Sequence, residues 1–304
     1  MSGMAYNEQA RDDFNRARSK ATLSKILYAL TPEKQRLLSL QDVRALLKPK
    51  NETYKGMQTI PINLIVGSED RYQDFNHAFL PKSEHMRKRW ENVDKARLQD
   101  IILPPIKAYK IGGVYFVSDG NHRVSVARAQ GCENIDAEVI ELSSEITIEP
   151  GMTESDLKRA VIQYEKRYAF EHTVIGKIMD WDELDYSEPG LFEETLRHIQ
   201  GHKYFINQSK KEEIPLEEGA RSWYNNVYKP IIEVIEKEGL LSRFPGRTKS
   251  DLYMWIIRHW DDLKRKKGNN FPLQAAAIDY AEKYGKSIGR QIWEFILKII
   301  RPGA

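Results

Sequence analysis

The stretch DGNHR (119–123) puts an acid, a glycine, an amide, an imidazole and a guanidinium in consecutive positions. It lies between an apolar run, VYFV (114–117), and a segment with helical spacing that closes at Gly131. A turn there needs only the glycine. The first N–H groups of a helix lack internal partners, and the helix dipole adds partial positive charge there. Gly120 lets an anion approach the backbone, and Asn121 and His122 supply further donors. Arg123 has the geometry for two parallel charge-assisted bonds to a phosphate. Phosphate is the natural guest of such a corner. A plainer account also fits: Asp119 or Asn121 caps the helix, His122 bonds a carbonyl, and Arg123 pairs with a surface acid. Capping, however, needs one short polar residue rather than five non-apolar ones in a row.

A second polar box, GSEDRYQDF (67–75), lies upstream. Arg71 offers another positive group for phosphates. Glu69 and Asp70 are candidates for Mg²⁺ ligand or general base, since carboxylates suit hard cations. Asp119, the acid nearest the loop, is a candidate for either role, with Glu69 and Asp119 the leading metal ligands. Asp74 carries less weight. The bland alternative makes Glu69-Asp70-Arg71 a solvated turn. His198 and His202 stand at i, i+4, but Gly201 lies between them and a zinc site needs three or four ligands.

The elements that must position these residues follow from periodicity. Residues 8–30 carry Phe14, Ala17, Ala21 and Leu27 as a helical stripe. Pro32 opens a second helix that runs to Lys48-Pro49. Residues 50–58 read as a loop, and 58–68 as one strand. A helix spans 83–100, capped by Ser83, with Met86, Trp90, Val93 and Leu98 on its apolar face. Its outer face holds Arg87, Lys88, Arg89, Lys95 and Arg97, a solvated surface or a contact for nucleic acid backbone. Strands at 102–110 and 114–118 flank the hairpin signal Gly112-Gly113. A further strand covers 135–142.

After Glu149-Pro150-Gly151 the chain reads as helices. Thr153 caps the first of them. Pro230 kinks or splits the segment 216–239. Thr248 and Asp251 form a capping box before a helix bearing Leu252, Trp255, Ile256 and Trp260. KRKK (264–267) ends that helix, where the dipole favours cations. The expected division is therefore 1–57, an N-terminal helical segment; 58–149, a small mixed-sheet domain; and 150–304, an all-α region. The fold class is α+β.

Composition narrows the classes. The chain has 304 residues, 41% hydrophobic and 30% charged, with a net charge of +3. This fits a globular protein and does not mark a dedicated DNA binder. A single cysteine, Cys132, excludes an internal disulfide and points to the cytoplasm. The N-terminus lacks the apolar core of a signal peptide, and no run approaches a spanning length, so no membrane partner is expected. The apolar tract IWEFILKII (292–300) reads as a buried or docking helix, and 288–300 as a homodimer contact.

Strand, G-x-x-R, helix, Gly, strand is similar to the ParB/sulfiredoxin superfamily, in which such a loop holds nucleotide phosphates. IPINLI (60–65) resembles its opening strand and GSEDRYQDF its arginine-bearing box. The resemblance covers about 58–142. Sulfiredoxins carry a reactive cysteine where this chain has Asn121, which argues against peroxiredoxin repair. ParB partition proteins carry an acid and a second arginine where this chain has Asn121 and His122. DGNHR is nearest to the D-G-H-x-R loop of free-serine kinases. The resemblance implies a nucleotide ligand (ATP, ADP or CTP) with Mg²⁺. NTP hydrolysis or phosphoryl transfer is the implied reaction. The alternative is a ParB-like DNA-binding or regulatory adaptor protein without turnover.

Overall fold

The computed structural model describes residues 3–268 and 272–285. The chain divides into two units, Met1–Leu157 and Lys158–Ala304. The first is α+β around a mixed six-stranded sheet, and the second is helical in its described residues.

In the first unit, α1 (Gly3–Leu27) buries Ala10, Phe14, Ala17 and Ala21, one helical stripe, while Leu27 stays exposed. The expected second helix does not run unbroken. A 3₁₀ turn, Pro32–Gln35, leads to the short strand β1 (Leu38–Ser39) and then to α2 (Leu40–Leu47). Leu37 joins one apolar cluster and Leu38 another, an alternation that extended backbone permits. Ser39 then starts the helix by accepting from the Asp42 N–H at 3.4 Å.

The expected loop at 50–58 is a strand. β2 (Glu52–Pro61) pairs antiparallel with β6 (Asn134–Leu142), from Glu52 opposite Leu142 to Pro61 opposite Asn134. It is an edge strand, and most of its side chains are exposed, so it shows no apolar alternation. Polar cross-strand pairs fix it instead. Thr59 Oγ1 donates to Asp136 at 2.7 Å, Tyr54 Oη donates to Glu138 at 3.0 Å, and Lys55 pairs with Glu141 at 2.9 Å. The single strand expected at 58–68 is also broken. A 3₁₀ turn at Ile62–Leu64 separates β2 from β3 (Ile65–Ser68).

The expected helix at 83–100 begins as a 3₁₀ turn and continues as α3 (Arg87–Leu98). Ser83 does not cap it; its hydroxyl bonds His85 Nδ1 at 2.7 Å. β4 (Ile106–Ile111) and β5 (Val114–Asp119) form the hairpin over Gly112-Gly113, whose φ values of 59° and 92° suit the tight turn. α4 (Asn121–Ala129) follows β5 directly. The sheet order is β1-β3-β5-β4-β6-β2. β3 and β5 are parallel, so the box after β3 and the loop after β5 emerge at the same end of the sheet.

β5 divides the core. Tyr115 and Val117 join the cluster that contains Val124 and Ala127 of α4, while Val114 and Phe116 join the cluster of α2. A third cluster locks α1, α3 and α4 together through Phe14, Ala17, Trp90 and Val126. Phe14 meets Trp90 edge-on at 5.6 Å, and the Trp90 indole N–H donates to Ser125 Oγ at 2.8 Å. The N-terminal segment is thus part of the sheet unit rather than a separate body, since β1 and β2 are its strands.

The second unit contains most of α5 (Glu154–His172), then α6 (Leu191–Asn207), α7 (Leu216–Trp223), α8 (Lys229–Lys237), α9 (Lys249–Lys267) and α10 (Leu273–Tyr284). A π-helical turn, Tyr224–Tyr228, precedes Pro230, matching the expected irregularity. The capping box of Thr248 and Asp251 is present. His198 bonds Tyr253 Oη at 2.9 Å and His202 bonds Ser222 Oγ at 3.0 Å, so both imidazoles serve packing. No described helix is long and apolar enough to cross a membrane. The apolar tract 292–300 and the dimer contact read into 288–300 lie outside the described residues.

Candidate functional site

β5 ends at Asp119 and Gly120 turns the chain with φ of 100°. That left-handed conformation favours glycine. A Cβ there would lie 2.6 Å from Ile106 Cγ2 and 2.9 Å from Arg123 Nε, so space forbids a side chain as well. No side chain caps α4. The first bond inside the helix runs from the Val124 N–H to Gly120 O at 3.0 Å. The N–H groups of Asn121, His122 and Arg123 precede it and point out of the helix end.

They open onto a cleft of about 260 Å³ bordered by Asp70, Arg71, Arg89, Asp119 and the loop residues Gly120 to Arg123. The structure therefore gathers most of the residues picked from sequence. Arg71 is held from the β3 side. The Ser68 hydroxyl donates to Val117 O at 3.1 Å and accepts from the Arg71 N–H at 3.1 Å. The Arg71 guanidinium pairs with Asp74 at 3.0 Å and remains half exposed.

Arg123 departs from the expected phosphate fork. Its guanidinium donates to the Asp119 carboxylate, to Pro104 O, and to Pro105 O at 2.7 Å. Only 14% of the side chain is exposed. It borders the cleft but acts chiefly as a tether between the loop and the Pro-Pro segment before β4.

The residue that sequence reasoning missed is Arg89 of α3. Helical spacing places it on the outer basic face of the helix. Arg89 is exposed, borders the cleft, and makes no ion pair among the described residues. Val93, one turn along the same helix face, borders it too. The i, i+4 spacing puts the two on one face, but it does not say that this face meets the loop after β5. Two other members of the basic face, Arg87 and Arg97, are engaged internally. Arg87 bonds Glu91 at 3.0 Å and Asn15 at 2.9 Å, and Arg97 bonds Gln130 and Cys132, each at 2.9 Å.

His122 sits edge-on to Phe75 at 5.5 Å. Burial, then the charges of Arg89 and Arg71, push its pKa down to about 4, with His85 adding and Asp74 opposing. The ring is neutral at pH 7, and its Nδ1 is buried without a partner. Asn121 is 7% exposed and its Oδ1 is also unmet. A neutral imidazole can donate from either nitrogen and an amide can turn either end outward, so both can serve as donors to a guest.

Of the acids, Asp70 and Asp119 border the cleft and Glu69 does not. The Glu69 N–H instead bonds Val117 O at 3.0 Å, extending the β3–β5 pairing. Asp70 makes no ion pair among the described residues. The described residues hold no group of three or more metal-ligating side chains. The cleft's two carboxylates, Asp70 and Asp119, are of the ligand type that hard cations such as Mg²⁺ take. No family model, curated protein or solved structure matches the chain.

Proposed function

We propose that the protein binds the phosphate groups of a nucleotide in the cleft at the N-terminus of α4. The observation that carries this is convergence. Uncapped N–H groups and the guanidiniums of Arg71 and Arg89 meet at one small space, and Asn121 and His122 line it with them. Such an arrangement is stabilised by a multiply charged anion. The cleft, at about 260 Å³, is below the roughly 300–1,000 Å³ of pockets that enclose a whole small molecule, so it suits a phosphate end with the base outside. The resemblance of DGNHR to the superfamily's phosphate loop supports the same reading.

Asp119 would help hold Mg²⁺, which would supply charge neutralisation at the phosphates. Asp70 is the freer carboxylate and the better general base for hydrolysis or transfer to a small acceptor. A regulator that binds nucleotide without turnover uses the same cleft and lacks only that last step. The DNA-binding alternative would use the basic face of α3, from which Arg87 and Arg97 are drawn into internal contacts.

The test is calorimetric titration with ATP, ADP, CTP and pyrophosphate, with and without Mg²⁺. Arg89→Ala and Arg71→Ala each weaken binding about tenfold or more, as loss of a charge-assisted contact implies. Undiminished binding by the double variant sinks the proposal. Asp70→Asn spares binding and abolishes phosphate release if the protein is an enzyme. Retardation of DNA at low salt that persists in the double variant would favour the alternative instead.

A further inference from the structure

A second, larger cleft of about 670 Å³ lies away from the loop, between α1, α3 and α4. α1 presents Asp13, Arg16, Ala17 and Lys20 to it, the i, i+3, i+4, i+7 pattern of one helix face. α3 contributes Asp94, Arg97 and Leu98, and Leu80 comes from the segment before it. Asp94 is wholly buried. Its Oδ1 accepts from Gln130 Nε2 at 2.8 Å, its Oδ2 meets no donor, and the Asp13 carboxyl lies within hydrogen-bond reach of the Asp94 carboxyl. A buried carboxylate oxygen left unpaired is costly.

The second carboxylate makes this stranger. Asp13 stands beside Asp94, and burial together with the Asp13 charge raises the Asp94 pKa to about 6. Two neighbouring carboxylates demand a cation or a shared proton. The nearby arginines are engaged. Arg97 is held by Gln130 and Cys132. Arg128 is directed away, to Ile62 O at 2.7 Å, Ile65 O at 2.6 Å and His77 O at 3.2 Å. Arg16 bonds Asp13, but its own side chain is 70% exposed. Lys20 makes no ion pair among the described residues.

We infer that this cleft binds a small elongated zwitterion, its ammonium against Asp13 and Asp94 and its acidic end at Lys20. Asp13, the partly exposed member of the pair, meets the ammonium first, and Asp94 behind it supplies the second charge. The rise along α1 from Asp13 to Lys20 is roughly 10 Å at about 1.5 Å per residue. Ala17, between them on the helix, and Leu80 and Leu98 add apolar surface to the same cleft, suited to methylene groups. The ligand class is therefore an amine and a carboxylate or phosphate joined by a short apolar chain.

The test is a thermal-shift and calorimetric comparison of 6-aminohexanoate and 6-aminohexyl phosphate with hexanoate and hexylamine, using the full chain. The two zwitterions separate a carboxylate from a phosphate end. At least one of them raises the melting temperature of the wild type, while hexanoate does not. Asp94→Asn reduces that affinity tenfold or more. Lys20→Ala, on the exposed face of α1, folds normally and removes the advantage of the zwitterion over hexylamine. No shift with any amine would mean that the carboxylates share only a proton, and would overturn the inference. Equal binding by wild type and both variants would overturn it too.

Discussion

Arg123 and Asp119 are bonded to each other across the first turn of α4, and the same guanidinium also holds Pro105 O at 2.7 Å. The one arginine that the loop sequence offers for phosphate is therefore already committed to the protein. Arg123→Ala should lower stability by ~2–3 kcal/mol, because hydrogen bonds to a charged group are lost together. Denaturant melts would read this. An unchanged midpoint would show that the tether is weak and the arginine free for a ligand.

His122 gives a pH signature. Its value of about 4 lies below the ordinary histidine value near 6.5. Between these limits the unfolded chain binds more protons, so stability falls as pH drops through that window. His122→Gln should flatten the melting profile there. Pyrophosphate in the cleft offsets Arg71 and Arg89, so NMR titration should show the His122 pKa rise on binding. A ring whose pKa is indifferent to pyrophosphate would place the anion elsewhere.

Asp94 gives the opposite sign. Its value of about 6 lies above the ordinary aspartate value near 3.9. The folded state holds the extra proton in that interval, so stability falls as pH rises through it. Asp94→Asn should melt higher than wild type at pH 8, with the gain vanishing near pH 4. Parallel profiles for the two proteins would contradict the buried carboxylate pair.

Gly120→Ala tests the corner itself. The new methyl meets Ile106 and Arg123 Nε, in a backbone conformation that non-glycine residues rarely adopt. The expected cost is ~1–3 kcal/mol. Calorimetry should also show loss of phosphate affinity, because relieving the clash moves the N–H groups of α4. A variant with wild-type stability and affinity would show that the turn tolerates a side chain.

In the second unit, Asp251 is wholly buried and accepts from the Ser187 N–H at 3.1 Å and the Thr248 N–H at 2.8 Å. Asp251→Ala should cost ~2–4 kcal/mol by stranding both donors. Near-ultraviolet dichroism of the Trp223–Tyr253 cluster would follow the loss. A variant as stable as wild type would reduce Asp251 to a dispensable cap.

The parts legible in the sequence were those that local chemistry writes. The Gly112-Gly113 hairpin, the Thr248–Asp251 box and the polar run after β5 each carry their own signal within a few residues. β2 was illegible because an edge strand needs no apolar alternation, and its pairing with β6 rests on polar partners far along the chain. β1 is two residues long, too short for any period to register. At the site, Arg71 was recoverable because its box resembled a known one. Arg89 was not, because helical spacing identifies an outward face without saying what stands opposite. Nor does any sequence pattern mark Pro104 and Pro105 as carbonyl acceptors that would claim Arg123.

The pairing of β2 with β6 also bears on synthesis. Thr59 and Asp136 are 77 residues apart. At about 5–20 residues per second, a ribosome takes several seconds to deliver the second strand after the first has emerged. During that wait β2 is a nascent segment with nothing to zip to. Its sequence, ETYKGMQTIP, carries charge and a terminal proline and little greasy surface, features that blunt sticking to other chains. The same polarity that hid the strand from inspection would keep it harmless until its partner arrives.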